Sequence, residues 1–400
     1  MRRAALFLLL CGLPAAAQIA IRGETVYTMA GPPVRNGVVV ITDGRIARVG
    51  PADTTPVPSG YRLLSGKVVT PGLIDARTVV GLAGYLNQAH DQDQLERSAA
   101  IQPELRAIDA YDPRERLIEY LRGYGITTIH TGHAPGALVS GQTMIVKTAG
   151  KTVDEALVKP AAMVAATLGA GGRAAGGKAP GTRSKMVAML RAEFIKAREY
   201  AAKRETAEAG KEPAPDLRLD ALARVVRGEL PLLVTVHQMH DVMTAIRLAK
   251  EFNLKLVLDG AADAQGLIDE IKASGYPVIL HPTMARAGGE TANLSLETAS
   301  KLQAAGIPYA LQSGFESYVP KTRVVLFEAA LAAANGLSFE DALASVTIGA
   351  ARLLGIADRV GSIESGKDAD VAVYDGDPFE YATHCTAVVL NGRLVSEAPQ

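Results

Sequence analysis

The chain has 400 residues, of which 48% are hydrophobic, and its 42 basic side chains balance 42 acidic ones. This length suits one large α/β domain with a smaller one, and the composition has no bias towards disorder or a fibrous repeat. Because the formal charge is zero and no stripe of lysine and arginine occurs, the sequence argues against a nucleic-acid-binding surface and favours a small-molecule substrate or ligand.

The first residues have the pattern of a cleaved secretory signal. Arg2 and Arg3 precede the apolar run 4–10, and the small residues 15–17 follow before Gln18. This order is typical of a signal peptide. We therefore expect residues 1–17 to be removed and the protein to be exported, to the periplasm or the medium. No later apolar run reaches the roughly 18 residues that predict a membrane span.

Short β-strands are predicted at both ends of the mature chain. The N-terminal strands are 19–28, 38–42 and 45–49, with turn signals at Asn36-Gly37 and Asp43-Gly44. The C-terminal end repeats the pattern, with a turn at Asn391-Gly392 and strands at 371–374, 387–390 and 393–395. We predict that residues 18–70 and 356–400 together form one small β-sandwich.

The residues between these ends alternate apolar strands with helical segments, as parallel βαβ units do. Eight strands are predicted, the number that closes a (β/α)8 barrel, at 68–75, 126–130, 144–148, 163–168, 232–237, 255–259, 277–281 and 308–312. The barrel is assigned to residues 71–355, with an insertion at about 169–215 that begins Gly-rich and continues as a charged helix. This insertion is either a lid over the barrel mouth or an excursion on the outer surface.

Three segments resemble the amidohydrolase superfamily, on its imidazolonepropionase and dipeptidase-like branch. They are 67–76 (KVVTPGLIDA), 347–355 (TIGAARLLG) and 361–377 (GSIESGKDADVAVYDGD), which are similar to the first barrel strand, the last barrel helix and the strand that returns to the sandwich. The resemblance extends from about residue 19 to the C-terminal end. It implies an α/β fold, a (β/α)8 TIM-type barrel with a small β-sandwich. It also implies hydrolysis of an amide or other C–N bond in a non-peptide compound or dipeptide, a divalent metal such as zinc, and a homo-oligomer.

Most metal ligands of that family are replaced in this sequence. Arg77-Thr78-Val79 stands where His-x-His would follow the first strand, Leu258-Asp259-Gly260 replaces Glu-His-Gly after the sixth, and Gln312-Ser313-Gly314 replaces an Asp after the eighth. Only His237, after the fifth strand, matches a ligand position, and Lys147 would match a bridging lysine only if one strand were miscounted. A guanidinium would repel a metal, so we hypothesise that Arg77 and Asp259 form an ion pair across the barrel mouth instead.

Two types of site remain open. In the first, the strand-end histidines His130, His237 and His281 bind one zinc ion in a rearranged site, with Asp259 as a further ligand, since imidazole and carboxylate groups suit zinc. In the second, these histidines are ordinary hydrogen-bonding groups of the scaffold. The catalytic candidates are His237 and Asp259, and the binding candidates are Arg77, His130, His133 and Ser313.

Two functions follow from these alternatives. The chain is either a hydrolase of a C–N bond or a catalytically inactive protein that binds a small molecule or a protein partner at the barrel mouth. Nucleophilic catalysis by Ser313 or Ser140 is disfavoured because neither serine lies in a Gly-x-Ser-x-Gly turn. The Gly-rich loop 132–141 is a further candidate for binding a ligand through backbone amides.

Overall fold

The structure is a computed structural model that describes residues 18–174, 176–208, 211–315 and 324–397. The predicted signal peptide, residues 1–17, lies outside these ranges. The β-strands are β1 Ile19–Val26, β2 Val34–Thr42, β3 Arg45–Pro51, β4 Arg62–Pro71, β5 Leu73–Thr78, β6 Ile126–Thr131, β7 Val139–Gln142, β8 Met144–Lys147, β9 Leu157–Lys159, β10 Val164–Thr167, β11 Leu232–Val236, β12 Leu256–Gly260, β13 Val278–Leu280, β14 Tyr309–Leu311, β15 Val371–Tyr374, β16 Cys385–Leu390 and β17 Arg393–Ser396. The α-helices are α1 Arg116–Gly123, α2 Val153–Ala156, α3 Arg183–Thr206, α4 Leu217–Val226, α5 Met239–Phe252, α6 Ile268–Ser274, α7 Thr298–Ala305, α8 Val325–Ala334, α9 Phe339–Ser345 and α10 Ile348–Leu354.

Strands from both ends of the chain form one seven-stranded sheet in the order β17-β16-β15-β4-β1-β2-β3. The two ends join where β15 pairs antiparallel with β4, which itself pairs parallel with β1. Aliphatic side chains from both halves, among them Ile21, Val39, Val371 and Val389, pack into one buried core. Because the sheet folds over this core, the predicted composite β-sandwich is confirmed.

Two of the three predicted turns join neighbouring strands. Asp43-Gly44 and Asn391-Gly392 have positive φ angles at both residues, as tight hairpin turns require. The two turns also touch, since a Cβ on Gly392 would lie 2.5 Å from the Cα of Gly44. The turn predicted at Asn36-Gly37 is wrong: both residues lie inside β2, where the strand is paired on both sides.

The barrel is built from β5, β6, β8 and β10–β14. Hydrogen bonds between Thr143 and the segment 162–163 join β8 to β10, and Gly314 donates its N–H to the carbonyl of Arg77 at 3.0 Å, which closes β14 onto β5. The inner core is made of small and aliphatic side chains such as Ile74, Ile145 and Val257. The (β/α)8 TIM-type barrel is therefore confirmed.

All eight barrel strands were predicted to be parallel, and this prediction is wrong for the third barrel strand, β8. Strand β8 pairs antiparallel with β6, from Thr131 opposite Met144 to Thr128 opposite Lys147. The physical reason is that residues 132–143 contain no helix, whereas a parallel return normally needs a crossover helix. The first predicted strand, 68–75, is divided between β4 of the sandwich and β5 of the barrel.

The helix of the insertion lies on the outer surface of the barrel. Helix α3 packs against α4 and α5, with the rings of Phe194 and Phe252 5.3 Å apart. The start of the insertion, around Gly169 and Arg183, reaches the loops at the barrel mouth. In the described ranges, no helix combines the length and the apolar character needed to cross a membrane.

Candidate functional site

A cavity of about 50 Å³ lies at the carboxyl ends of the barrel strands. We call it the strand-end pocket. It brings together four of the predicted residues, Arg77, His237, Asp259 and His281, whereas His130, His133 and Ser313 are not among its lining residues. Its other walls come from Thr78, Val79, Pro135, Thr235, Gly260, Pro282, Gln312, Gly314 and Phe315. The position agrees with the end of the barrel where catalytic and binding groups of this fold lie.

Arg77 is fixed in the pocket wall by backbone carbonyls. Its side chain is only 3% exposed, Nη1 donates to the carbonyl of Thr78 at 3.2 Å, and Nη2 donates to the carbonyl of His133. Burial lowers the pKa of Arg77, and the nearby carboxylates of Asp259 and Asp75 oppose that shift. A guanidinium stays protonated under such conditions, so the pocket holds a buried cation.

The direct ion pair that we hypothesised between Arg77 and Asp259 is wrong. Asp259 instead accepts hydrogen bonds from the hydroxyl of Thr235 at 2.5 Å and from the amide Nε2 of Gln312 at 2.8 Å. These neutral donors hold the carboxylate from two directions, Thr235 from strand β11 and Gln312 from the end of strand β14. Arg77 and Asp259 therefore interact across the pocket without contact.

His237 and His281 form a pair in the pocket. Their ring centroids are 4.9 Å apart with the planes nearly perpendicular. Burial lowers the pKa of His237, although the carboxylates of Asp259 and Glu290 favour the protonated ring, so His237 is neutral near pH 7. Its buried Nδ1 has no hydrogen-bond partner among the residues that the structure describes. A polar atom in that state needs a water or a ligand group.

His130 is a structural residue. Its two ring nitrogens are both engaged, Nδ1 with the carbonyl of Ala76 at 2.7 Å and Nε2 with the hydroxyl of Thr143 at 2.6 Å. Burial lowers the pKa of His130 to about 3, so the ring is neutral. A metal or ligand could reach His130 only by breaking these bonds, and the structure gives no support to its predicted roles in metal and ligand binding.

His133 and Ser313 lie behind the pocket. His133 contributes its carbonyl to Arg77, while burial and the charge of Arg77 lower the pKa of its own ring to about 4. Ser313 donates its backbone N–H to Oδ1 of Asp75 at 3.0 Å. Through these hydrogen bonds His133 positions Arg77, and Ser313 positions Asp75.

The donor groups of the pocket do not fit the zinc centre that the resemblance implies. A catalytic zinc takes about three protein ligands. Across residues 18–174, 176–208, 211–315 and 324–397, no three His, Cys, Asp or Glu side chains are arranged to hold a metal ion. His237 and His281 are close, but Asp259 is held by Thr235 and Gln312, and Arg77 adds a positive charge.

Lys147 does not serve as a bridging ligand. Its ammonium group is buried at the junction with the sandwich, where it contacts the carboxylates of Asp370 and, at 3.3 Å, Asp368. Asp368 also pairs with Arg359 at 2.9 Å and Arg45 at 2.7 Å. Lys147 is thus a structural cation between the two domains.

Two groups near the pocket were missed by sequence reasoning. Asp75 is fully buried, and burial raises its pKa to about 7, with hydrogen bonds from Ser313 and Arg77 opposing the shift. Gln312 holds Asp259, and its place at the end of the eighth strand was the available signal. The sequence offered no comparable signal for Asp75, because a charged residue inside a barrel strand does not reveal its burial.

A polar cluster connects the start of the insertion to the barrel mouth. Arg183 donates to both carboxylate oxygens of Asp241, at 2.8 and 2.9 Å, to Oε1 of Glu290 at 2.9 Å and to Oε1 of Gln238 at 2.8 Å. We call these four residues the Arg183 cluster. Gly169 passes so close that a Cβ there would lie 2.7 Å from Glu290 Oε1. The cluster fixes the loops that follow β10, β11 and β13.

Comparisons with known proteins agree with this architecture. A model of the amidohydrolase family matches residues 82–396. The imidazolonepropionase of Rhizorhabdus wittichii is 27% identical over 88% of this chain and 92% of its own length, and that of Caulobacter vibrioides is 28% identical over 86% and 88%. The solved structure of an amidohydrolase from Thermotoga maritima superimposes with a TM-score of 0.89 at 27% identity, over 95% of this chain and 100% of that chain.

Proposed function

Because this chain belongs to the amidohydrolase family, we propose that its strand-end pocket binds a small compound with an amide or other C–N bond. In this proposal Arg77 is the cation that holds the carbonyl or carboxylate oxygen of the compound, and the protein acts as a binding protein. The observation that carries the proposal is the guanidinium of Arg77, buried in the pocket wall at the place of a family metal ligand.

The hydrogen-bonding state of Arg77 supports ligand binding. A guanidinium has five N–H bonds, and hydrogen bonds to the carbonyls of Thr78 and His133 use two of them. The others meet no acceptor in the part of the chain that the structure describes. A carboxylate or carbonyl oxygen in the pocket would accept from this group, and charge-assisted hydrogen bonds of this kind are the stronger ones.

A second residue of the same pocket, His237, supports recognition of an amide. His237 is neutral and its Nδ1 lacks a partner among the described residues, so the ring can accept from an amide N–H or donate to an oxygen, depending on its tautomer. The relatives named imidazolonepropionase suggest a cyclic compound with adjacent C–N and C=O groups. A buried cation and a neutral imidazole in one pocket match such a compound.

Binding is tested with the mature protein, residues 18–400, by calorimetry against dipeptides, N-acetyl amino acids and cyclic amides. Arg77→Lys keeps the charge but loses the planar donor fork, and we expect it to weaken binding roughly 10-fold or more, as for a lost charge-assisted hydrogen bond. Arg48→Lys, on the exposed strand β3, is the control. Equal affinity in a folded Arg77→Lys protein would contradict the role of Arg77.

Hydrolysis of the C–N bond is the second candidate function, and the neutral His237 beside His281 favours it. His237 would accept a proton from water as the water attacks the carbonyl held by Arg77, and would then return the proton to the leaving nitrogen. Release of amine from the same compounds, lost in His237→Ala while binding persists, would replace the binding-only proposal. About one zinc per chain, lost in the same variant, would instead indicate a metal-dependent route.

We also propose that the protein is exported and cleaved after Ala17. Strand β1 begins at Ile19, and the carbonyl of Gln18 accepts from the N–H of Arg62 at 2.9 Å, so this cleavage leaves the sandwich complete. The mass of the protein recovered from the periplasm or medium tests the proposal. A mass that includes residues 1–17 would contradict it.

A further inference from the structure

A second cavity lies beside the strand-end pocket. Pro135 lines the strand-end pocket, and Gly136, the next residue, lines a cavity of about 160 Å³. Its walls come from three segments: 97–100, the Gly-rich loop at 136–138, and the start of the insertion at 172–174 and 178–179. We call it the cationic cavity.

Among the residues that the structure describes, three cations and no acidic side chain line this cavity. The cations are Arg97, Arg173 and Lys178, all exposed to solvent. Within the described ranges none of the three has an ion-pair partner, whereas other surface arginines do, such as Arg191 with Glu251 at 2.9 Å. The neighbouring Glu96 accepts from the backbone N–H of Ser98 at 2.6 Å. The cavity therefore concentrates positive charge that no described acidic side chain pairs with.

Two glycines allow the three segments to approach one another. A Cβ on Gly136 would lie 2.6 Å from Leu95 Cδ2 and 3.7 Å from Arg97 Nη2, so the loop passes directly beside the Arg97 side chain. A Cβ on Gly172 would lie 2.3 Å from the carbonyl oxygen of Thr167. Gly136 also donates its N–H to Thr167 Oγ1 at 3.3 Å. The close backbone packing keeps Arg97 and Arg173 on the same cavity.

We propose that the cationic cavity is a binding site for the phosphate or carboxylate group of a small compound. Guanidinium groups bind both kinds of oxyanion through paired hydrogen bonds, and an ammonium group adds a point charge. An anion between three like charges also relieves their mutual repulsion. The site adjoins the strand-end pocket through residues 135 and 136, but it can bind an anion whether or not that pocket binds an amide.

The test is calorimetric titration of the mature protein at low salt with inorganic phosphate and, separately, with citrate. We expect saturable binding that weakens as salt is added, because exposed charges are screened. The double variant Arg97→Gln/Arg173→Gln should lose roughly tenfold in affinity, since each lost contact at an exposed site costs a few-fold. Arg48→Gln, an exposed arginine on the sandwich, should bind like the parent.

The two titrations also identify the anion. Tighter binding of phosphate indicates a phosphate-bearing compound, and tighter binding of citrate indicates a carboxylate-bearing one. No saturable binding of either anion, or equal binding by the parent and the double variant, would overturn the proposal. If the double variant fails to fold, Lys178→Gln provides the same comparison with a smaller expected loss.

Discussion

The side-chain amide of Gln312 donates to Oδ1 of Asp259 at 2.8 Å and thereby joins strand β12 to the end of β14 at the barrel mouth. The same amide nitrogen donates to the carbonyl of Ile279 at 3.0 Å, on the strand between them. One neutral side chain thus connects three neighbouring strands at the end of the eighth barrel strand. The buried carboxylate of Asp259 is held here by hydrogen bonds from neutral donors and has no direct ion pair among the described residues.

Replacing Gln312 by Met should destabilise the protein. The variant keeps the side-chain length but leaves buried Asp259 with one donor fewer, which costs about 1.5–3 kcal/mol of unfolding free energy for a hydrogen bond to a charged group. Urea denaturation measures the loss. Gln303→Met removes a similar bond, to Asp341 at 2.8 Å, at an exposed site and should cost under about 0.5 kcal/mol. Equal losses in both variants would contradict the structural role of Gln312.

Gly169→Ala should loosen the Arg183 cluster. Gly169 has a φ of 85°, and the added Cβ would lie 2.7 Å from Glu290 Oε1 and 2.9 Å from Asp241 Oδ2. We expect a loss of about 1–3 kcal/mol, part of it from the strained backbone. Gly177→Ala is the matched control, because its φ is 74° and no atom of the described residues lies within 4 Å of its Cβ position. Limited proteolysis at the barrel mouth measures the loosening. Equally faster cleavage in both variants would mean that backbone strain alone accounts for the effect.

Asp75 should make the protein less stable as the pH rises from about 4 to 7. Burial raises the folded-state pKa of Asp75 from 3.8 to about 7. Between these values the folded state holds the proton and the unfolded state has lost it, so rising pH favours unfolding, by up to roughly 4 kcal/mol in total. Above about pH 7 both states are ionised and the effect is constant.

Asp75→Asn removes this titration and provides the measurement. The unfolding free energy of the parent relative to Asp75→Asn should fall between about pH 4 and pH 7 in urea titrations. A constant offset between the two proteins would mean only that the substitution perturbs packing. If the parent instead became more stable relative to Asp75→Asn as the pH rises, Asp75 would be ionised in the folded protein at low pH.

Lys147→Met should strongly destabilise the junction between the domains. It leaves the buried carboxylates of Asp368 and Asp370 without the ammonium between them, and breaking a buried ion pair costs about 3–5 kcal/mol. Lys151→Met, on the exposed side of the same segment, should have little effect. Thermal unfolding of the two variants measures the difference. A melting temperature of Lys147→Met close to the parent would mean that Asp368 is neutralised by Arg45 and Arg359.

The sequence predicted the architecture well because strands and turns follow local rules. Periodic apolar runs identified the strands, and Asp43-Gly44 and Asn391-Gly392 marked their turns. The antiparallel direction of β8 was not predicted. It follows from the absence of a helix in the connection 132–143, and the predicted strand positions do not contain this information. The turn predicted at Asn36-Gly37 was wrong because a dipeptide that often forms turns can also be accommodated within a strand.

The site was predicted in part. Positions after barrel strands brought Arg77, His237, Asp259 and His281 to one pocket, because all strand ends of one direction share one end of the barrel. His130 was also at a strand end but its ring points to Ala76 and Thr143. The choice between a pocket-facing and an inward-facing side chain depends on strand tilt and twist, which sequence spacing does not give.

The contact between the turns at Gly44 and Gly392 has a consequence for how the protein is made. Strand β4 pairs with β15, about three hundred positions later in the chain. The seven-stranded sheet therefore stays incomplete until the last strands have been synthesised. Contacts of such long sequence separation form slowly. The early strands thus keep unpaired edges during synthesis, and a chaperone that protects those edges would raise the yield of folded protein.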